Sequence, residues 1–233
     1  MRHFAVVGSG PAGFYTAEAL VKAYGDRARI DIIDRFPVPY GLIRFGVAPD
    51  HQSLKAVSKR YDQVAAGDSV RFVGNVDIGQ DVSIADLTGL YDAVILAVGA
   101  PHDRKLGIPG EDLPGVVGSA EFVGWYNGHP DFADLAPPLD GTHAAVIGNG
   151  NVALDCARIL SKNHHEFEGS DIVGHALDAL DKASIETVTI LGRREVGEIG
   201  MAVVPADKLS RSDNARQILP RNAELAIDRK SVV

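Results

Sequence analysis

Two glycine-rich strings carry most of the chemistry legible in residue types and spacing: Gly8-Ser-Gly10-Pro-Ala-Gly13 and Gly148-Asn-Gly150-Asn-Val-Ala153. In such a string the first glycine allows a tight turn and the second lets backbone N–H groups approach a pyrophosphate. The third position sets how closely the next helix packs on its strand. Asp34 lies 21 residues beyond Gly13, where a carboxylate accepts hydrogen bonds from an adenosine ribose and repels a 2′-phosphate. The first string therefore suits FAD or NAD and not NADP. The strand after the second string runs into Gly192-Arg193-Arg194. Two guanidiniums there suit a 2′-phosphate, and a charge-assisted contact of about 1.5–3 kcal/mol is enough to choose NADP over NAD. The plainer alternatives are an ordinary strand–helix turn and a solvated arginine pair. Two dinucleotides held by one chain imply a hydride passed between them, chemistry that needs stacked rings and excluded water rather than a nucleophile or a metal.

Positioning these strings requires a strand before and a helix after each. His3 to Gly8 is a short apolar run typical of a buried parallel strand, followed by an amphipathic helix from Pro11 to about Tyr24 and a second strand from Arg29 to Ile33. Arg35 to Pro49, rich in Pro and Gly, reads as a loop. A helix is expected from about Asp50 to Ala65, with Asp50 as its N-cap. Tyr91 to Gly99 reads as another buried strand, stopped by Ala100-Pro101, and the loop around Ile108-Pro-Gly110 as a crossing between domains. The pattern then restarts with a strand at Ala144–Gly148, a helix at Asn151–Lys162, a helix around His175–Lys182 and a strand at Thr187–Leu191. The expectation is an α/β fold of two Rossmann-like dinucleotide-binding domains with parallel sheets.

Composition excludes several classes. A formal net charge of −8 argues against a nucleic-acid binder. The single cysteine, Cys156, excludes a disulfide framework, an internal iron–sulfur cluster and a Cys-x-x-Cys redox pair. Cys156 reads as a helix core residue. No apolar run is long enough to span a bilayer. The first strand begins almost at Met1, which leaves no room for a leader, so a cytoplasmic setting is expected.

The strings Val7-Gly-Ser-Gly-Pro-Ala-Gly-Phe-Tyr-Thr-Ala17, Pro39-Tyr-Gly-Leu-Ile-Arg-Phe-Gly-Val-Ala-Pro-Asp-His51, Phe122-Val-Gly-Trp-Tyr-Asn-Gly128 and Gly148-Asn-Gly-Asn-Val-Ala-Leu-Asp155 resemble the adrenodoxin reductase family, which includes bacterial ferredoxin–NADP reductases of that type. The resemblance covers roughly residues 3 to 194. It implies an FAD domain interrupted by an NADP domain, and electron transfer between NADPH and a ferredoxin or adrenodoxin-like iron–sulfur protein on another chain. By the same resemblance Ala12 meets the FAD pyrophosphate, Asp34 stands where the family has Glu, and Leu42 and Val76 line the rest of the flavin nucleotide. Asn149, Gly150, Asn151 and Val152 cradle the NADP pyrophosphate, with Arg193 and Arg194 on its 2′-phosphate. By the same resemblance, the pair His51 and Asp155 is expected to help orient the cofactors or relay protons and electrons. Read from the residues alone, His51 is equally a first-turn helix residue and Asp155 a helix N-terminal charge.

The chain departs from the family after Arg194, where it reads Glu195-Val-Gly-Glu-Ile-Gly-Met-Ala-Val-Val-Pro205, so a further acidic NADP contact has no matching position. It stops at Val233, roughly half the family's length, without the segment that returns to cover the flavin. The expected organisation is 1–100 for the first part of the FAD domain, 101–227 for an incomplete NADP domain and 228–233 for a non-native tail, in a C-terminally truncated member. Rival functions are a flavin-dependent NADPH oxidase or monooxygenase, and an inactive nucleotide-binding fragment. A disulfide reductase needs a paired cysteine that is absent.

Overall fold

The first strand, β1 (Arg2–Val7), alternates its side chains between two apolar layers, as a central parallel strand must. Phe4 and Val6 enter one cluster with Phe14, Ala17, Ile30 and Ile32, while Ala5 and Val7 enter another with Ile33 and Leu87. In this computed structural model the described residues are 1–148, 150–192 and, for the backbone alone, 201–205. Asn149, Arg193, Arg194 and the tail from Asp228 lie outside them.

Along the chain follow α1 (Pro11–Tyr24), β2 (Ala28–Ile33), α2 (Leu42–Phe45), α3 (Gln52–Lys55), α4 (Ser58–Ala65), β3 (Val70–Val73), α5 (Ile84–Leu90) and β4 (Ala93–Leu96). Then come α6 (Ser119–Tyr126), β5 (His143–Ile147), α7 (Asn151–Ser161), α8 (Gly174–Asp181), β6 (Thr187–Leu191) and β7 (Met201–Pro205). Two sheets form, in the orders β3-β2-β1-β4 and β5-β6-β7. The first is parallel throughout, with Val7 level with Ile33 and Leu96. The expected parallel pairing holds for β5 and β6 in the second sheet as well, to which β7 adds an antiparallel strand beside β6.

Two compact units result: Met1–Val47 with His51–Pro101, and Ala48–Asp50 with the chain from His102 onward. The division after the first unit falls at Pro101, ahead of the Ile108-Pro-Gly110 crossing read from the sequence. Residues 48–50, read as part of the first domain, pack instead with the second unit. The reason is ionic and steric: Ala48 and Pro49 are buried, Pro49 O accepts the Asp171 N–H at 3.0 Å, and the Asp50 carboxylate receives Arg158 and Lys162. Asp50 is consequently not a helix cap. The expected helix from Asp50 to Ala65 is two helices, α3 and α4, and the residue before α3 is His51. The Arg35–Pro49 loop contains the one-turn α2, and β3 and α5 complete the first unit where no element was expected.

In the second unit α6 buries Phe122, Val123, Trp125 and Tyr126, with Phe122 and Trp125 stacked at 5.6 Å between ring centroids. A β-carbon on Gly124 would lie 2.3 Å from the Phe132 ring, so only glycine fits. The Phe122–Gly128 string is thus packing material. Asp103 covers the start of α6, accepting from Ser119 Oγ and Ala120 N, both at 2.8 Å.

Candidate functional site

Each glycine string sits at the carboxyl end of a parallel strand, where ligands bind in open α/β sheets. In the first unit β1 runs into Gly8, whose φ of 110° lies in the region glycine favours. A β-carbon there would stand 2.3 Å from the Ala97 carbonyl oxygen, so this glycine serves the approach of the turn to β4. A β-carbon on Gly13 would stand 2.0 Å from the Gly8 oxygen, which is why α1 lies against its strand only with glycine here. Gly10, the residue before α1, is different. It is extended (φ −77°, ψ −172°), makes no side-chain cap, and a β-carbon on it would meet nothing within 4 Å. That open position lies at the start of a 14-residue helix, where backbone N–H groups and the helix dipole favour an anion. Ala12 is exposed in the first turn of the same helix.

Asp34 follows β2, and its carboxylate holds the string in place. Oδ2 accepts from Ser9 N at 2.8 Å and Ser9 Oγ at 2.6 Å, and Oδ1 accepts from Phe36 N at 3.0 Å. Val76 lies alongside, its N–H donating to the Asp34 carbonyl at 3.0 Å. Leu42, first residue of α2, is 64% exposed although apolar. The turn before it presses on the string: a β-carbon on Gly41 would fall 3.0 Å from the Gly10 Cα. Tyr40 has φ 92°, a conformation that costs a bulky residue about 1–3 kcal/mol. It is fixed from several sides. Its N–H donates to Ser9 O at 3.0 Å, its hydroxyl donates to Asp62, and its ring lies 5.5 Å from Phe14. Burial, reinforced by the bond to Asp62, pushes the phenol up to about 12, so it remains a donor. Ser9 and Tyr40 escaped sequence reasoning; their signal was proximity to the motif, which spacing alone does not convert into contacts.

The second string repeats this geometry in the second unit. Gly8 N donates to Ile33 O at 2.7 Å, and Gly148 N donates to Leu191 O at 2.7 Å. Gly148 has φ 128°. Gly150 precedes the 11-residue α7 with φ −79° and ψ 174°, and among the described residues it has no side-chain cap and nothing within 4 Å of a β-carbon. Asn151 and Val152 form the first turn, Val152 being 49% exposed. Ala153 stands where the first string has Gly13; its β-carbon is 3.6 Å from where one on Gly148 would lie. That is ordinary van der Waals contact, and a β-carbon is accommodated here, unlike at Gly13. Asn149, Arg193 and Arg194 fall outside the described residues, and β6 leads to them through Gly192.

His51 precedes α3 in the first unit, its carbonyl accepting from Leu54 N at 3.0 Å and Lys55 N at 3.1 Å. Asp155 lies in α7 and accepts from Arg158 Nη2 at 2.9 Å. Arg158 also bonds Asp50, as does Lys162, and all three side chains are largely buried. Burial alone would raise Asp50, but these two cations bring it down to about 2. Arg158, three residues after Asp155 on one helix face, was the available sequence signal for this cluster. Cys156 is buried, which pushes its thiol up to about 12 and keeps it protonated. Among the described residues no helix is long and apolar enough to cross a membrane, and no group of His, Cys, Asp and Glu could hold a metal ion.

The model of the pyridine nucleotide-disulphide oxidoreductase family matches residues 2–196. The mitochondrial NADPH:adrenodoxin oxidoreductase of Arabidopsis thaliana is 51% identical over 193 residues, which cover 82% of this chain and 40% of that protein. The NADPH-ferredoxin reductase FprA of Mycobacterium leprae is 48% identical over 198 residues, 83% of this chain and 43% of that protein. The structure of Mycobacterium tuberculosis FprA in complex with NADPH matches with a TM-score of 0.80 and 48% identity, over 83% of this chain and 44% of that one. The chain thus spans about two fifths of the length of these relatives.

Proposed function

This chain belongs to the pyridine nucleotide-disulphide oxidoreductase family, and from that membership we propose that it carries the FAD site and part of the NADP site of a ferredoxin–NADP reductase of the adrenodoxin reductase type. The observation that carries the reading is the repeated cradle. Gly10 and Gly150 share one backbone conformation, precede uncapped helices, and leave open the volume that a β-carbon would fill. Both residue sets fit a pyrophosphate.

The first cradle is assigned to FAD. Gly8, Gly10, Ala12 and Gly13 shape the phosphate turn, and Asp34 takes ribose hydroxyls with the lone pairs that its bonds to the loop leave. Leu42 and Val76 flank the remainder. The second is assigned to NADP, with Gly148, Asn149, Gly150, Asn151 and Val152 around the pyrophosphate and Arg193 and Arg194 on the 2′-phosphate. The two nucleotides, when bound, supply hydride transfer from NADPH and onward release of single electrons. His51 and Asp155 are assigned to orienting groups and moving protons beside the reacting rings. The electron acceptor is a ferredoxin or adrenodoxin-like iron–sulfur protein, since this chain has a single cysteine and cannot hold such a cluster itself. A reducing, cytoplasmic setting suits that lone buried thiol.

The test is to express the chain with flavin supplied and record its absorbance before and after NADPH. A flavin spectrum that bleaches with NADPH and recovers with ferredoxin supports the proposal. A folded protein that retains no flavin rules the activity out for this chain. Recovery by oxygen at the rate seen with ferredoxin would favour an oxidase instead.

A further inference from the structure

Asp155 and the backbone leading into His51 are tied to one cation. The Arg158 guanidinium, with 9% of its side chain exposed, donates through Nη1 to Asp50 Oδ2. Its Nη2 donates to both Asp50 Oδ1 at 3.0 Å and Asp155 Oδ1 at 2.9 Å. Lys162 Nζ adds a second cation on Asp50 Oδ2. Asp50 is joined to His51 by a peptide bond. Upstream, Pro49 O accepts from Asp171 N at 3.0 Å; downstream, the His51 carbonyl caps the first bonds of α3. The chain entering His51 is therefore gripped on both sides, and the grip and Asp155 share a single guanidinium.

A planar fork can hold two carboxylates at set angles, which an ammonium cannot. Burying several charges together is also a poor way to gain stability alone, because the lost hydration offsets the pairing. We propose that Arg158 is a positioning residue that fixes Asp155 and the chain ahead of His51 in one network. Its part in the reaction rests on the reading above, that these two residues work beside the cofactor rings. The clamp itself does not.

Hydrogen exchange of the cofactor-free chain tests the clamp, and flavin reduction tests its purpose. Arg158→Lys keeps a buried cation but loses the fork, and Arg158→Gln loses both. Arg71→Gln, which breaks the buried Asp31 pair in the other unit, serves as the matched control. In both Arg158 variants the amides of residues 50–55 are expected to exchange about tenfold faster. In the flavin-loaded protein the limiting rate of reduction by NADPH should fall about tenfold to a hundredfold, with the half-saturating NADPH concentration little changed. Arg71→Gln should leave exchange in 50–55 and the limiting rate as they were. Unaltered exchange in the Arg158 variants overturns the proposal. So does faster exchange with an unaltered limiting rate, or an equal loss of rate in Arg71→Gln. If the chain retains no flavin, the cofactor reading fails, while the exchange comparison still decides whether Arg158 holds the segment.

Discussion

The two cradles are built on one plan, and the described residues brace them at different places. In the first, the third glycine is obligatory, because Gly13 lies so close to the Gly8 carbonyl that any β-carbon would overlap it. The loop is then stitched down by Asp34 on Ser9 and Phe36, by Tyr40 on Ser9, and by Gly41 against Gly10. In the second, Ala153 takes the same position at ordinary contact distance from Gly148, and α7 is anchored farther along its length by Arg158 and Lys162 on Asp50. A site braced around its phosphate turn suits a cofactor that stays bound. In the second unit the described polar bonds lie along α7 instead. Among the described residues the two units thus differ in where the polar bonds sit, with the glycine spacing common to both.

The hardest blow to this contrast would come from exchanging the third residues. Gly13→Ala should cost about 1–3 kcal/mol through overpacking against backbone and abolish flavin retention, read by urea denaturation and by flavin absorbance per protein. Ala153→Gly should cost about 1 kcal/mol, the ordinary penalty of glycine in a helix, and leave the flavin in place. Equal effects of the two would remove the distinction. Next in size, Arg193→Ala or Arg194→Ala should weaken NADPH about 10- to 100-fold and leave NADH binding unchanged in a direct titration. A parallel loss of NADH would deny these residues the 2′-phosphate.

Acid separates the braces further. Asp50 titrates at about 2 in the folded chain, below the ordinary aspartate value. Its stabilisation is therefore whole above about pH 4 and drains away as the pH falls through about 2, below which folded and unfolded forms are both protonated. Asp31 in the first unit also lies below its ordinary value: burial pushes it up, but bonds from Arg71, Tyr91 and His3 outweigh that. Melts between pH 2 and 5 should show an acid slope that Asp50→Asn reduces without abolishing it; an unchanged slope would mean that Asp50 is not ionised in the clamp. The smallest effect concerns two tyrosines. Tyr126 is fully buried with no partner for its hydroxyl among the described residues, whereas the Tyr40 hydroxyl donates to Asp62. Tyr126→Phe should leave stability within about 1 kcal/mol or raise it, because no bond is lost, while Tyr40→Phe should lower it. Denaturant midpoints for the two variants would reveal a reversal.

The amino-acid sequence by itself determined both strand–turn–helix units, almost to the residue for α1 and β6, because apolar periodicity and glycine placement act over a few neighbours. It also placed the open glycines and the acidic residue after β2. What it left undecided were contacts between residues far apart in the chain. Asp34 reads as a ribose ligand from its spacing, yet in the fold it first ties down Ser9, 25 residues upstream. Asp50 reads as a cap for the helix that follows, since Asp at that point satisfies local N–H groups. Arg158, 108 residues away, offers a buried charge instead, and a charge without water must be paired before a cap is satisfied. That pairing holds residues 48–50 with the second unit, and the expected helix starts only after His51. Local rules wrote the elements; only the tertiary structure, by bringing distant charges out of water together, decided which polar groups face one another.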